Sequence, residues 1–157
     1  CYKRNKRTLN MNAFLYLIVA LVLGSLLGLE RTLAHKTAGV RTYGLVSMGS
    51  ALFILIARYV IPVGGQVNYD PLRMAAGIVM GVGFLCGGVI IFKDSTLQGL
   101  TTAAGLWVAA GIGMAVGYGL IQLAAFATIA TLLVFTVFWM VEEKFLRNKQ
   151  LDAVERP

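Results

Sequence analysis

LQGLTTAAGLWVAAGIGMAVGYGLIQLAAFATIATLLVFTVFWMV, the stretch from Leu97 to Val141, carries no charged residue. A helix that crosses a bilayer needs about 20 mostly apolar residues, so this stretch is long enough for two. Gly117-Tyr118-Gly119 marks the turn between them. Three more apolar runs precede it. Ala13 to Leu29 is uncharged, Tyr43 to Val63 carries only Arg58, and Met74 to Phe92 is again uncharged. Of the 157 residues, 58% are hydrophobic and 13% charged, against about 25% charged in a soluble domain. The fold class that follows is all-α: a polytopic membrane bundle of about five transmembrane helices. They use up the length and leave one membrane domain.

The expected helices run over Met11–Leu29, Tyr43–Val63, Pro71–Phe92, Thr102–Gly117 and Leu120–Val141. Asp70-Pro71 is a helix start with a mechanism: the carboxylate accepts an orphan backbone N–H, and proline lacks the one left over. Arg73, three residues on, is placed to pair with Asp70 across the first turn. Arg58 lies near the end of its helix and is expected to snorkel to the interface. Small residues recur at helical spacing. Gly24 and Gly28 form a Gly-x-x-x-Gly face, Gly77, Gly81, Gly83, Gly87 and Gly88 strip side chains from the third helix, and Gly105, Ala109, Gly113 and Gly117 recur every four residues in the fourth. Such faces let another helix approach closely.

Residues 1–10 form a basic leader ahead of Met11, which reads as a natural start, so the leader is expected not to be native; a lipid-modified Cys1 is the sharper alternative. A secretory signal is disfavoured because the apolar run is long and ends in Gly-Leu-Glu-Arg without an Ala-x-Ala site. Residues 11–141 are the membrane domain, and 142–157 a polar cytoplasmic tail that frays. Cys1 and Cys86 sit in unlike settings, so no disulfide is expected, and Cys86 reads as a small packing residue.

The net charge of +7 points to orientation and anionic headgroups rather than to nucleic acid. Five spans put the termini on opposite sides. The first and third loops and the tail share one face with eight basic residues: Arg31, Lys36, Arg41, Lys93, Lys144, Arg147, Lys149 and Arg156. The other face holds Arg58 and Arg73, and the leader adds Lys3, Arg4, Lys6 and Arg7. The positive-inside rule places the eight, and the C-terminus, in the cytoplasm of a multi-pass inner-membrane protein.

Enzymatic motifs are missing from the sequence. His35 is the single histidine, and no Gly-x-Ser-x-Gly or Cys-x-x-Cys occurs. No cofactor is implied, because the Gly81-Val-Gly83 run lies in an apolar span with no strand before it. A divalent-cation path needs oxygen ligands. Glu30 and Asp94 are expected at one face and Asp70 at the other, so one protomer assembles no cage. A polar cluster is more suggestive: Glu30 and Arg31 close the first helix, Arg41 and Thr42 open the second, and Thr101 and Thr102 open the fourth, where free N–H groups favour an anion. On the bland reading Glu30 pairs with Arg41 and the hydroxyls are caps. On the functional one the cluster binds a headgroup, an anion or a partner's side chain.

Three blocks carry a family resemblance. The first is Gly24-x-x-x-Gly28-x-Glu30-Arg31 with Ala38-Gly39-x-Arg41-Thr42. The second is Asp70-Pro71-x-Arg73 with Gly81-x-Gly83-Phe84-Leu85-x-Gly87-Gly88. The third is Gly99-Leu100-Thr101-Thr102-Ala103-Ala104-x-x-Trp107 with Gly113-x-x-x-Gly117-x-Gly119. Together they resemble the MgtC/SapB family of bacterial membrane proteins. That resemblance implies an inner-membrane protein tied to survival in low magnesium and inside host cells. It implies a regulator acting through membrane partners, including the proton-driven ATP synthase. Many members carry a soluble C-terminal domain, for which the residues after the fifth helix are too few, so the membrane part is expected to act alone. Cys86 departs from the glycine or alanine expected there. The leading expectation is a non-enzymatic membrane regulator, with a homo-oligomer or a partner helix on the glycine faces. The alternative is a small transporter or channel for Mg²⁺ or another ion.

Overall fold

A computed structural model describes residues 6–60, 70–93 and 95–140. Lys3 and Arg4 of the leader, the end of the second apolar run, Asp94 and the tail (142–157) lie outside the described residues. The chain order is α1 (Lys6–Leu33), α2 (Val40–Val60), α3 (Pro71–Val89), β1 (Ile91–Lys93), β2 (Thr96–Gln98), α4 (Leu100–Gly117) and α5 (Ile121–Leu133). One π-helical turn, Val134–Phe138, continues α5. Five segments are long and apolar enough to cross a membrane: Asn12–Leu33, Val40–Arg58, Leu72–Val89, Leu100–Gly117 and Ile121–Phe138. The all-α membrane bundle stands as expected.

Its boundaries move, each for a local reason. α1 runs past Leu29 to Leu33, so Glu30 and Arg31 lie within its last turns. Thr32 Oγ1 donates to the Gly28 carbonyl at 2.9 Å and accepts the Val40 N–H at 3.1 Å. One hydroxyl thus ends α1 and starts α2, which begins at Val40 rather than Tyr43. α3 stops at Val89, not Phe92. Paired glycines 87 and 88 weaken its end, and the β-branched residues that follow enter a hairpin where a plain loop was expected. In it Ile91 pairs antiparallel with Gln98 and Lys93 with Thr96. Gly99, at φ +91°, turns the chain into α4 so close to Val89 that a Cβ there would strike its carbonyl.

α4 is the most enclosed span and α3 the least. The centre is made by backbone contact. A Cβ on Gly24 would lie 2.6 Å from Ser47 Cβ, one on Gly28 2.6 Å from Val40 Cα, and one on Gly117 2.8 Å from Ile54 Cβ; on Gly113 it would fall on the Ser47 carbonyl. Glycine at these positions is what lets α1 and α4 rest on α2. Ser47 Oγ donates to the Ala20 carbonyl at 2.8 Å, so the contact holds no unpaired hydroxyl. Gly77 and Gly81 differ from these: among the described residues nothing lies within 4 Å of a Cβ at either. Arg58 does not simply snorkel. Its Nη1 donates to the Gly117 carbonyl at 2.7 Å, a cation on the last turn of α4 where the helix dipole favours it.

Gly113→Ala is expected to lower stability by about 1–3 kcal/mol through forced overpacking, and Gly77→Ala to leave it within about 0.5 kcal/mol. Thermal unfolding of the purified variants in detergent, followed by helical circular dichroism, checks both.

Candidate functional site

At one end of the bundle the last turn of α1, the first turns of α2 and α4, and the π-helical turn after α5 converge on Arg31. Arg31 is only 4% exposed, and it is the one charged residue in the buried class among the described residues. It sits at the C-terminal end of α1, where a cation suits the helix dipole. Its Nη2 donates to Thr102 Oγ1 at a long 3.4 Å. Its guanidinium carbon lies 4.5 Å from the centroid of the Phe135 ring, within cation–π range. Nη1 is 3.8 Å from Glu30 Oε2.

Thr102 is the node of this arrangement. Its hydroxyl takes the Arg31 bond and its carbonyl accepts the Tyr43 hydroxyl at 3.2 Å. Tyr43 is fully buried. One turn further along α4, a Cβ on Gly105 would meet the Tyr43 hydroxyl and would lie 2.6 Å from Phe135 Cζ. Glycine there makes room for both rings. Phe135 belongs to the π-helical turn, whose extra residue per turn shifts the face the helix presents. Cys86 Sγ donates to the Ala103 carbonyl at 3.1 Å and joins α3 to the same turn of α4.

The electrostatics are incomplete. Glu30 Oε2 and Arg31 Nε are buried without a hydrogen-bond partner among the described residues. In a low-dielectric setting each such atom costs on the order of 1–3 kcal/mol. The pair therefore presents one open acceptor and one open donor, able to take a polar group that offers both. No three His, Cys, Asp or Glu residues group to hold a metal ion among the described residues.

Of the six cluster residues expected from sequence, the structure brings together Glu30, Arg31 and Thr102. Arg41, Thr42 and Thr101 are exposed in first turns and stay outside. The expected Glu30–Arg41 pair is not formed: α1 continues through Glu30, and its carboxylate meets Arg31 instead. Asp70 caps α3 as expected, with Oδ1 accepting the Leu72 N–H at 2.9 Å. Arg73 gives only its backbone N–H to the Asp70 carbonyl, at 3.1 Å, so the expected side-chain pair is not made. Tyr43 and Phe135 went unpredicted. Tyr43 carried a signal, an aromatic hydroxyl in the first turn of an apolar helix. Phe135 carried none, because a π-helical turn leaves no mark on hydrophobic periodicity.

The MgtC family model matches residues 17–144. The chain belongs to the MgtC family. It is 43% identical over 126 residues to a protein of Escherichia coli K12 named "Putative magnesium transporter YhiD", covering 78% of this chain and 58% of that one. It is 42% identical over 110 residues to Protein MgtC of Brucella abortus, covering 70% of this chain and 44% of the relative. An uncharacterised protein of Haemophilus influenzae is 38% identical over 96 residues, covering 58% of this chain and 40% of its own length. The chain thus spans about half the length of the curated relatives it matches. No solved structure matches it. In this MgtC-family chain the matched region takes in the whole Arg31 cluster and the α2–α4 contact.

Arg31→Met alone is expected to destabilise the fold by about 3–5 kcal/mol, since it strands Glu30 in the interior. Adding Glu30→Gln should recover most of that loss, because the stranded charge is gone. Unfolding curves for the single and double variants in detergent measure the difference.

Proposed function

We propose that this chain is a non-enzymatic integral membrane regulator that acts by contact with other membrane proteins. Its setting is low-magnesium adaptation or virulence, and the proton-driven ATP synthase is a partner of the kind the family implies. The Glu30 end then faces the cytoplasm, as the distribution of basic residues favours.

One observation carries this reading. The one charge in the buried class among the described residues, Arg31, is fastened to Thr102, Phe135 and Glu30 at the rim of the bundle, while the centre is closed by backbone contact at Gly113 and Gly117. A charge on a transport path lines a cavity and faces water or its ion. Here the guanidinium is held by neighbours from three helices, the behaviour of an anchor that shapes a rim. The polar residues left outside it, Arg41, Thr42 and Thr101, are exposed and available to a partner.

A second reading has its own support. The relative from Escherichia coli carries a magnesium-transporter name, and Glu30 Oε2 has no hydrogen-bond donor among the described residues. On that reading Glu30 and Asp70 mark the two mouths of an ion path.

Flux separates the two. Proteoliposomes holding the purified chain are expected to pass Mg²⁺ no faster than empty vesicles. In cells that need the protein in low magnesium, Arg41→Glu, a change at an exposed residue, is expected to abolish growth although it accumulates in the membrane at normal level. Flux above empty vesicles that drops with Asp70→Asn would instead establish the transporter.

A further inference from the structure

Between α3 and α4 the chain leaves the helical bundle. The span Leu72–Val89 ends, the span Leu100–Gly117 begins, and the hairpin of β1 and β2 fills the interval. It is closed at its base, where Gly99, at φ +91°, stands against the Val89 carbonyl. Beyond that base the two strands have their main contacts with each other among the described residues. Ile91, Phe92, Thr96, Leu97 and Gln98 are all exposed. A two-stranded hairpin without packing support is marginal in water, so its stability has to come from what it lies against.

Its two faces differ. Phe92 and Leu97 are partners across the ladder, and opposed residues of an antiparallel pair set their side chains on the same face. They are 74% and 60% exposed. The alternate positions Thr96 and Gln98 belong to the other face, with Ile91 beside the end of α3 as the apolar residue among them. The hairpin is thus amphipathic at a period of two, and no described residue covers its apolar side.

Position decides what covers it. α3 and α4 have 19 and 18 residues, so each nearly matches the roughly 30 Å hydrocarbon core, and Val89 and Leu100 lie near its edge. Phe92 is three residues beyond Val89, and Leu97 three before Leu100. At about 3.3 Å per residue, an upright hairpin carries the pair at most about 10 Å from that edge. A tilted one holds it inside the headgroup layer, which adds about 5–8 Å on each side. Lipid is therefore the neighbour within reach. A protein partner fits less well: a stable interface buries about 800 Å² on each side, several times what one phenylalanine and one leucine offer. Lipid needs no such area, because each apolar group buried among acyl chains gains on its own.

We infer that the β1–β2 hairpin is a membrane-surface anchor, which leans into the headgroup layer, sets Phe92 and Leu97 into the top of the acyl chains and leaves Thr96 and Gln98 in water. Gly99 joins the end of the hairpin directly to the first turn of α4, and that turn holds Thr102 and, through it, Arg31. The depth of the hairpin in the lipid therefore sets the height of this end of α4. Such an anchor is compatible with either function above and depends on neither.

The test uses the full chain in phosphatidylcholine–phosphatidylglycerol liposomes. With Cys1→Ser and Cys86→Ala as background, single spin labels are placed through Phe92→Cys, Thr96→Cys, Leu97→Cys and Gln98→Cys. Collision with oxygen, which concentrates among acyl chains, is compared with collision with a water-soluble nickel chelate. The oxygen-to-nickel ratio should be at least about threefold higher at 92 and 97 than at 96 and 98, since the polar chelate is kept out of hydrocarbon. A label replaces the side chain it reports on, so a second measurement leaves Leu97 and Cys86 in place. Phe92→Trp, with Trp107→Phe and Trp139→Phe, should lose fluorescence to lipid brominated near the top of the acyl chain, and more than to lipid brominated near its end. Equal ratios at the four positions overturn the inference, whether the hairpin stands in water or is wholly immersed. Shielding of 92 and 97 from both reagents, which would put a protein over the face, overturns it equally, as does a tryptophan at 92 that neither bromolipid quenches.

Discussion

Everything in this bundle hangs on how near α4 comes to α2. At Gly113 the two backbones touch through the Ser47 carbonyl, and at Gly117 α4 rests on Ile54 and Ala51. In lipid there is no hydrophobic gain in pressing one apolar helix against another, so contact has to come from shape and from satisfied polar groups. Two small residues set one helical turn apart supply the shape. Ser47, bonded across to the Ala20 carbonyl, carries the same contact to α1. Arg58 closes the far end on the Gly117 carbonyl. The three helices pack as one unit, and α3 and α5 are added to its sides.

That unit is what allows a charge to be buried at the other end. Arg31 can lie at 4% exposure because Thr102 and Phe135 are delivered to it by elements whose positions are already fixed, and because Gly105 leaves room for the Tyr43 and Phe135 rings. Its satisfaction is nonetheless partial. A 3.8 Å approach to Glu30 and a 3.4 Å bond to Thr102 are long, and one atom of each charged partner has no hydrogen bond among the described residues. Polar groups this poorly satisfied are unusual in interiors. They sit at the rim, on elements that also present Arg41, Thr42 and Thr101 to the outside.

How much of this was legible in the sequence depended on the physical signal. Five spans were legible because lipid imposes a length and an exclusion of charge that composition shows directly. Asp70 as a cap was legible because Asp-Pro has one local explanation. The partner of Glu30 was not, because it turned on whether α1 ends at Leu29 or Leu33, and that was decided by the Thr32 hydroxyl bridging to Val40. The hairpin after α3 was missed because three residues per strand are too few to show a period. Phe135 was hidden by the π-helical turn that aims it.

The glycines show where sequence reasoning reaches its natural limit. Gly-x-x-x-Gly looks the same at 24 and 28 as at 77 and 81, and the pattern states only that some backbone can come close. At the first pair that backbone is the chain's own, since α2 lies within 2.6 Å of where a Cβ would stand. At the second pair no described residue stands within 4 Å of where a Cβ would lie. Glycine in the middle of a helix is a standing cost of about 0.5–1 kcal/mol against alanine. An internal neighbour offsets that cost for the first pair, whereas no described residue does so for the second. The same motif therefore holds the fold together on one helix and leaves a face open on another, and only the three-dimensional neighbours tell which is which.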